Sequence, residues 1–458
     1  VASSLTLRLW AGRELIDRIA RHSPARLALV VFATVIWIFT GLLSLPAATA
    51  TGERASFIEA LFTATSAVCV TGLTVVHTGV FWSTFGQAVI LVGIKIGGLG
   101  VMTLASILGL AVSRRIGLTA KLLTASETKT TRLGEVGSLI RVVVVTSTSL
   151  ELAIALLLLP RFMYLNESTG QAVWHAAFYA ISAFNNAGFV PTPEGLAPHF
   201  GDWMLLLPIM LGMFVGALGF PVILNIARQK RRFSRWSLHA KLTLVTSGLL
   251  VAGAWAWYLV AEWTNPLTLG PMSWPHKLLS AAFLGVMPRS GGFSTIDFGG
   301  MHEASWLVTD AMMFVGGGSA STAGGIKVST LAVLMLAIIA EARGDKDVDT
   351  FGRRIPRDTL RQAVAVTFVG ATIVLVACLA LLQITGYRLD VVLFEVISAF
   401  ATVGLSTGIT ASIPTAGQYV LVVLMFVGRV GTMTLGAALA LRSRRRVIRL
   451  PEERPVIG

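Results

Sequence analysis

A glycine- and hydroxyl-rich stretch, FVGGGSASTAGGIKVST at residues 314–330, carries Lys327 just after its last glycines. Backbone N–H groups and a lysine together are the chemistry of a phosphate cradle. The spacing rejects that use. Counted from Gly318, the second glycine such a loop requires falls on Ala323, and Lys327 follows Ile326. The surroundings reject it too, because the stretch lies in the middle of a long apolar run. Glycines 316–318, 324 and 325 are instead expected to break a helix at membrane depth. Two further charges, Arg429 in FVGRVGTM and Lys95 before IGGLG, interrupt other apolar runs. Charge in that setting is costly and marks function by default. For Lys95 the preferred reading is the plainer one, a side chain snorkelling to the interface.

Four short strings carry the strongest pattern. FTATSAVCVTGL, FYAISAFNNAGF, FLGVMPRSGGF and EVISAFATVGL align on Gly72, Gly188, Gly292 and Gly404 at near-equal spacing. Ser66–Ala67, Ser182–Ala183 and Ser398–Ala399 also coincide within three of them. A period repeated four times is a fold signature. Each string lies between two longer apolar runs, 27–45 and 83–112, 139–160 and 203–227, 240–262 and 306–341, 361–384 and 417–441. About 20 apolar residues span a bilayer. The short strings cannot, so each is read as a re-entrant half-helix whose C-terminal end leaves carbonyls at membrane depth. That is tolerated only inside protein or along a water-filled cavity, and the negative end of the helix dipole favours a cation there. Glycine supplies the unusual backbone angles that turn successive carbonyls toward one axis. Four such strands make a ring of carbonyl oxygens, the logic of a potassium-channel filter.

Composition agrees. Of 458 residues 54 % are hydrophobic and 13 % charged, and mean hydropathy is +0.76. This is the profile of a polytopic membrane protein. The net charge of +14 would suit nucleic acid, but the basic residues fall into five clusters between apolar segments, within 8–26, 114–141, 228–241, 343–361 and 442–454. Basic loops stay on the cytoplasmic side. Both termini are therefore expected inside, with anionic lipid head groups, not nucleic acid, as the partner of that charge. The first apolar run is too long for a leader peptide and is read as a spanning helix. Cys69 and Cys378 are far apart, and the seven histidines show no metal-ligand spacing.

The expected fold is all-α, with four tandem repeats (spanning helix, pore helix, spanning helix) in pseudo-fourfold arrangement around one central pore. The boundaries are a cytoplasmic N-terminal segment 1–26, repeats at 27–113, 114–227, 228–341 and 342–441, and a basic cytoplasmic tail 442–458. The later three repeats each begin with a cytoplasmic loop. Candidate filter residues are Val70, Thr71 and Gly72; Asn186, Ala187 and Gly188; Ser290, Gly291 and Gly292; and Thr402, Val403 and Gly404. Asn185 and Asn186 are read as caps or braces of the second strand, and Arg289 as a brace of the mouth. No catalytic constellation is apparent. Glu59, Glu151 and Glu395 stand singly; Glu59 and Glu395 are placed toward the outer part of the pore helices, where they would attract cations. With no acidic proton relay apparent in the spans, channel-like conduction is preferred over K⁺/Na⁺ or K⁺/H⁺ symport.

At VTGL, NNAGF, RSGGF, ATVGL, GGLGVMT, STAGGIK and GRVGTMT the chain resembles the Trk/Ktr/HKT superfamily of potassium transport proteins, over about residues 20–450. It is most similar to the membrane subunits of Ktr systems, the KtrB type; the 26 residues before the first span fit that type better than TrkH-type chains, which carry extra N-terminal helices. The resemblance implies that Gly72, where some members carry serine, selects potassium over sodium. It also implies an intramembrane gate just below the filter, made by Gly316, Gly317, Gly318, Ser319, Ala320, Ser321, Thr322, Ala323, Gly324, Gly325 and Lys327, with Arg429 facing the pore beside it. Ala320 replaces a glycine common in the family and is expected to stiffen that loop. The resemblance further implies K⁺ as transported ion, Na⁺ as an activator, no covalent cofactor, a homodimer in the cytoplasmic membrane, and a cytosolic octameric KtrA-type RCK ring binding ATP or ADP.

Overall fold

The structure is a computed structural model that describes residues 24–121, 134–165, 168–230 and 232–431. The N-terminal basic cluster up to residue 23, Lys129, Arg132, Arg231 and the tail 442–458 lie outside the described residues. The described chain is mostly helical. In order, its helices of ten or more residues are α1 (Pro24–Leu43), α2 (Phe57–Val68), α3 (Thr84–Lys121), α4 (Gly134–Tyr164), α5 (Thr169–Phe184), α6 (Trp203–Leu218), α7 (Phe220–Gln229) and α8 (Leu238–Ala261). After them come α9 (Trp274–Val286), α10 (Glu303–Phe314), α11 (Val328–Arg343), α12 (Arg357–Thr385), α13 (Leu389–Phe400) and α14 (Thr415–Phe426), which runs into a π turn at Val427–Gly431.

Segments of α3, α4, α8 and α12 are long and apolar enough to cross a membrane, and the bent pair α6–α7 makes a fifth candidate. Their outer faces are apolar: Val260 is 83 % exposed and Phe368 73 %. In water such faces would be a severe cost; against lipid they are not. The interior is built instead around α2, α5, α9 and α13. These helices have 12 to 16 residues, about 18–24 Å at 1.5 Å per residue, too short to cross. Capping boxes start two of them, Ser56 with Glu59 and Ser168 with Gln171, which satisfies N–H groups that the first turn leaves free. Their bodies are buried, with Phe62, Phe178, Phe283 and Phe394 at 0 % exposure.

Two second spans differ from a simple helix. The run 203–227, expected as one span, turns by 98° between α6 and α7. Gly219 sits at the bend with φ +93 and ψ 146, a combination open essentially only to glycine, and Pro221 removes the next donor. The run 306–341 is broken, as its glycines predict, by a loop between α10 and α11. A two-stranded hairpin, β1 (Val348–Thr350) and β2 (Arg353–Ile355), lies in the fourth basic loop with Val348 paired to Ile355. Its turn residues Phe351 and Gly352 both have positive φ, 49 and 71, as a type I′ turn requires. The fourth basic loop, expected as a cytoplasmic loop, thus contains a short sheet.

Candidate functional site

The four short buried helices α2, α5, α9 and α13 end alike. Thr71 N–H bonds the Ser66 carbonyl at 2.8 Å, Ala187 N–H that of Ser182 at 2.8 Å, and Val403 N–H that of Ser398 at 2.9 Å. In the third copy Gly291 N–H bonds Met287 at 2.8 Å. The chain then leaves each helix through a left-handed residue, Val70, Asn186, Ser290 or Thr402, with φ of 55, 58, 73 and 48. Two residues later Gly72, Gly188, Gly292 and Gly404 are left-handed again, at 93, 68, 73 and 93. β-Branched Val70 and Thr402 are rare in that region and store about 1–3 kcal/mol each. Ser66 Oγ accepts from Gly72 N–H at 3.0 Å and Ser398 Oγ from Gly404 N–H at 3.1 Å. Ser182 departs from this pattern and donates to the Phe189 carbonyl at 2.9 Å.

These strands meet. A Cβ on Gly72 would overlap the Ala187 carbonyl oxygen, and one on Gly404 that of Thr71. On Gly292 it would sit 2.5 Å from the Val403 oxygen, and on Gly188 3.1 Å from that of Gly291. Each glycine therefore lies against the preceding-position carbonyl of another strand, and the contacts close in the order 72, 188, 292, 404 and back to 72. Ser290 Oγ adds a bond to the Thr402 carbonyl at 2.7 Å.

The loop between α10 and α11 lies at the helix end of the second, third and fourth of these strands. Thr322 Oγ1 bonds the Phe184 carbonyl at 3.3 Å and Asn186 Oδ1 at 3.2 Å. Gly324 N–H donates to Ser290 Oγ at 3.0 Å, and a Cβ on Gly324 would collide with Thr402 Oγ1. The broken second span supplies the loop's other edge: Gly318 N–H bonds Ala217 O at 2.7 Å, and Phe220 N–H bonds Ala320 O at 3.2 Å. Within the loop, Gly316 N–H bonds Ile326 O at 3.0 Å and Lys327 Nζ folds back on Ala323 O at 2.7 Å. Ser321 Oγ bonds Gly318 O at 2.6 Å and Ser319 Oγ meets Ser329 Oγ at 3.2 Å. Gly317 packs against Ala323 and the Ala217 carbonyl, and Gly325 takes φ +68. Ala320 has φ +57, a left-handed alanine that constrains the loop. Arg429, 2 % exposed in the terminal π turn, donates from Nη1 to the Thr322 carbonyl. Its Nε and Nη2 have no partner among the described residues.

Over residues 20–444 the sequence matches the TrkH family, whose description is "cation transport protein". The chain belongs to the TrkH family. It is 38 % identical to Ktr system potassium uptake protein B of Bacillus subtilis, over 94 % of this chain and 96 % of that one. It is 32 % identical to the potassium/sodium uptake protein NtpJ of Enterococcus hirae, over 96 % and 98 %. The crystal structure of the potassium transporter TrkH from Vibrio parahaemolyticus superposes with a TM-score of 0.68, covering 88 % of this chain and 83 % of that one. At 18 % identity that match speaks for a shared fold alone. These relatives are named as transport proteins, not enzymes.

Against this TrkH fold several polar residues take positions that the sequence reading missed. Lys95 does not snorkel. Its Nζ lies 2.5 Å from Glu151 Oε2 and within 3.4 Å of Ser147 Oγ and 3.3 Å of Thr148 Oγ1. Glu151 is therefore no singleton, and its Oε1 accepts from Asn185 Nδ2 at 2.8 Å. Arg289 faces inward, not to the mouth: it bonds Ser247 Oγ at 3.0 Å and the Gly316 carbonyl at 3.3 Å, tying the base of the third strand to the start of the loop. Glu395 is fully buried and accepts from Ser406 Oγ, from Thr407 N–H at 3.2 Å and from Thr410 Oγ1 at 2.9 Å. Its carboxylate is spent on the loop after strand four, and that of Glu59 on its capping box. The Asn186 side chain is engaged too, its Oδ1 accepting from Thr322 Oγ1. An acidic side chain does lie buried in a second span: Asp310 of α10 is 4 % exposed. The partners of Lys95, Asn185 and Arg289 could not be read from spacing, because Glu151, Ser247 and Gly316 lie 27 to 56 residues away on other elements.

Proposed function

We propose that this chain carries potassium into the cell through a gated, channel-like pore. The four repeats stand in pseudo-fourfold arrangement around it, and the carbonyls of residues 70–72, 186–188, 290–292 and 402–404 line its filter. One observation carries this reading: four left-handed glycines close a ring, each against a carbonyl of another strand. Left-handed residues at alternate positions turn carbonyls toward one axis, where they can replace an ion's hydration shell. Residues 316–325, Lys327 and Arg429 form the gate, because the loop abuts the helix end of the second, third and fourth strands and Arg429 secures it. Potassium is favoured by the names of the relatives, and sodium as an activator by the potassium/sodium uptake name of one of them. The Ktr-system names support a cytosolic partner, here a KtrA-type ring binding ATP or ADP with a dimer of this chain upon it. The basic loops keep both termini in the cytoplasm.

Purified protein in liposomes tests the central reading. An outward K⁺ gradient should drive ⁸⁶Rb⁺ uptake that external K⁺ inhibits and Na⁺ does not. Equal inhibition by both ions would reject the filter. Proton-coupled symport is the second reading, and Asp310 favours it, since its Oδ1 has no hydrogen-bond partner among the described residues. A pH gradient alone driving K⁺ uphill would decide for symport.

A further inference from the structure

Resting on the filter reading above, the geometry points to the buried Lys95–Glu151 pair as a positioning device for ion selection: Glu151 holds the Asn185 amide and so orients the start of filter strand two. Lys95 lies on α3 and Glu151 on α4, with side chains 23 % and 5 % exposed. Neither charge is tolerable alone inside a span, and pairing makes both tolerable. Yet a buried pair is often no more stabilising than apolar residues of the same volume. Joining α3 to α4 therefore does not explain the pair. What an apolar substitute cannot do is accept a hydrogen bond.

The carboxylate divides its two oxygens. Oε2 takes Lys95 Nζ at 2.5 Å, and Oε1 takes Asn185 Nδ2 at 2.8 Å. The other Nδ2 proton goes to the Ile181 carbonyl at 2.8 Å. The amide is thus clamped by two acceptors and cannot flip, because its own oxygen would then face both of them. Asn185 Oδ1 points at α3, where a Cβ on Gly98 would overlap it. Lys95 precedes Gly98 by one turn, so α3 presents a cation and a gap on one face, as residues three apart do. Asn185 is the C-cap of α5, and the next residue, left-handed Asn186, is the first of the filter strand. Movement of the Asn185 side chain would rotate the turn from which that strand departs. Equivalent positions in the first and fourth strands hold Cys69 and Ala401, which cannot be held this way.

The test is K⁺ against Na⁺ flux in proteoliposomes, with size-exclusion profile and thermal unfolding of each variant. Glu151→Ala should lower the K⁺/Na⁺ flux ratio roughly tenfold, the scale of one lost charge-assisted hydrogen bond. The double variant Lys95→Gln, Glu151→Gln keeps an acceptor for Asn185 without charge, and should recover a ratio within about twofold of wild type. The swap Lys95→Glu, Glu151→Lys keeps the ion pair but puts a donor before Asn185. It should unfold near the wild-type temperature and still lose selectivity. A selective swap would reduce the pair to a strut between helices and overturn the inference, as would a folded glutamine pair that stays unselective. The two double variants carry the test if Glu151→Ala does not fold. A wild type with no K⁺ preference overturns the filter reading itself; a selective wild type with indifferent variants overturns the inference alone.

Discussion

Gly72 shows how little room the proposed filter leaves. It has φ +93, and a side chain there would meet the Ala187 carbonyl oxygen at once. Gly72→Ser therefore adds strain of about 1–3 kcal/mol at the point where two strands touch. The expected outcome is a shift of selectivity from potassium toward sodium, read as the ratio of K⁺ to Na⁺ flux; unchanged selectivity would remove Gly72 from the filter. Arg429 makes the opposite kind of contribution, through one donated bond. Replacing it by glutamine leaves the Thr322 carbonyl without its cation, a loss of about 1.5–3 kcal/mol for a bond to a charged group. Basal ⁸⁶Rb⁺ uptake in the absence of any cytosolic partner should rise by roughly ten- to hundredfold, since 1.4 kcal/mol is a factor of ten. The glycines were legible in the sequence because four copies recur in register. The contact of Thr322 with Asn186 was not, because 136 residues separate them and nothing in either neighbourhood names the other.

Among the elements, the broken helices matter most. The loop between α10 and α11 rests in the opening made where α6 turns into α7, and its backbone completes hydrogen bonds that both broken helices leave free. That is how irregular backbone is accommodated away from water. Gly219 is the hinge of this arrangement, and a Cβ there would strike the Ser319 carbonyl. Gly219→Ala should push the loop from its seat. Basal flux is expected to rise while the K⁺/Na⁺ ratio stays near wild type, since the glycine ring lies beyond the loop. Loss of selectivity with no gain in flux would show that loop and filter are one unit. The break at 316–325 was readable from its glycines. The bend at Gly219 was not, because the apolar run passes through it unbroken and a single glycine is common in membrane helices.

At the scale of the whole molecule, charge and hydropathy carry the proposed orientation. The third and fourth basic loops meet: Phe233 and Phe351 have ring centroids 6.3 Å apart, and Lys241 Nζ lies 5.2 Å and 5.6 Å from them. They form one basic, aromatic-studded face suited to anionic head groups or a cytosolic partner. On that basis Lys346→Cys should react with membrane-impermeant thiol reagents only from the cytoplasmic side. Leu267→Cys, in the loop joining α8 to α9, should react only from the outside; the reverse pattern would invert the topology. The period of the sequence, its helical hydrophobic runs and its basic clusters determined the helices, their fourfold recurrence and the positions of the candidate filter, because each is a local pattern that one stretch of chain expresses unaided. Which carbonyl each glycine meets, where Lys95 finds its carboxylate and how Arg429 reaches the loop were decided only by the tertiary structure. A buried charge or an open carbonyl must be satisfied by whatever lies next to it in space, and in this chain that neighbour comes from a distant part of the sequence.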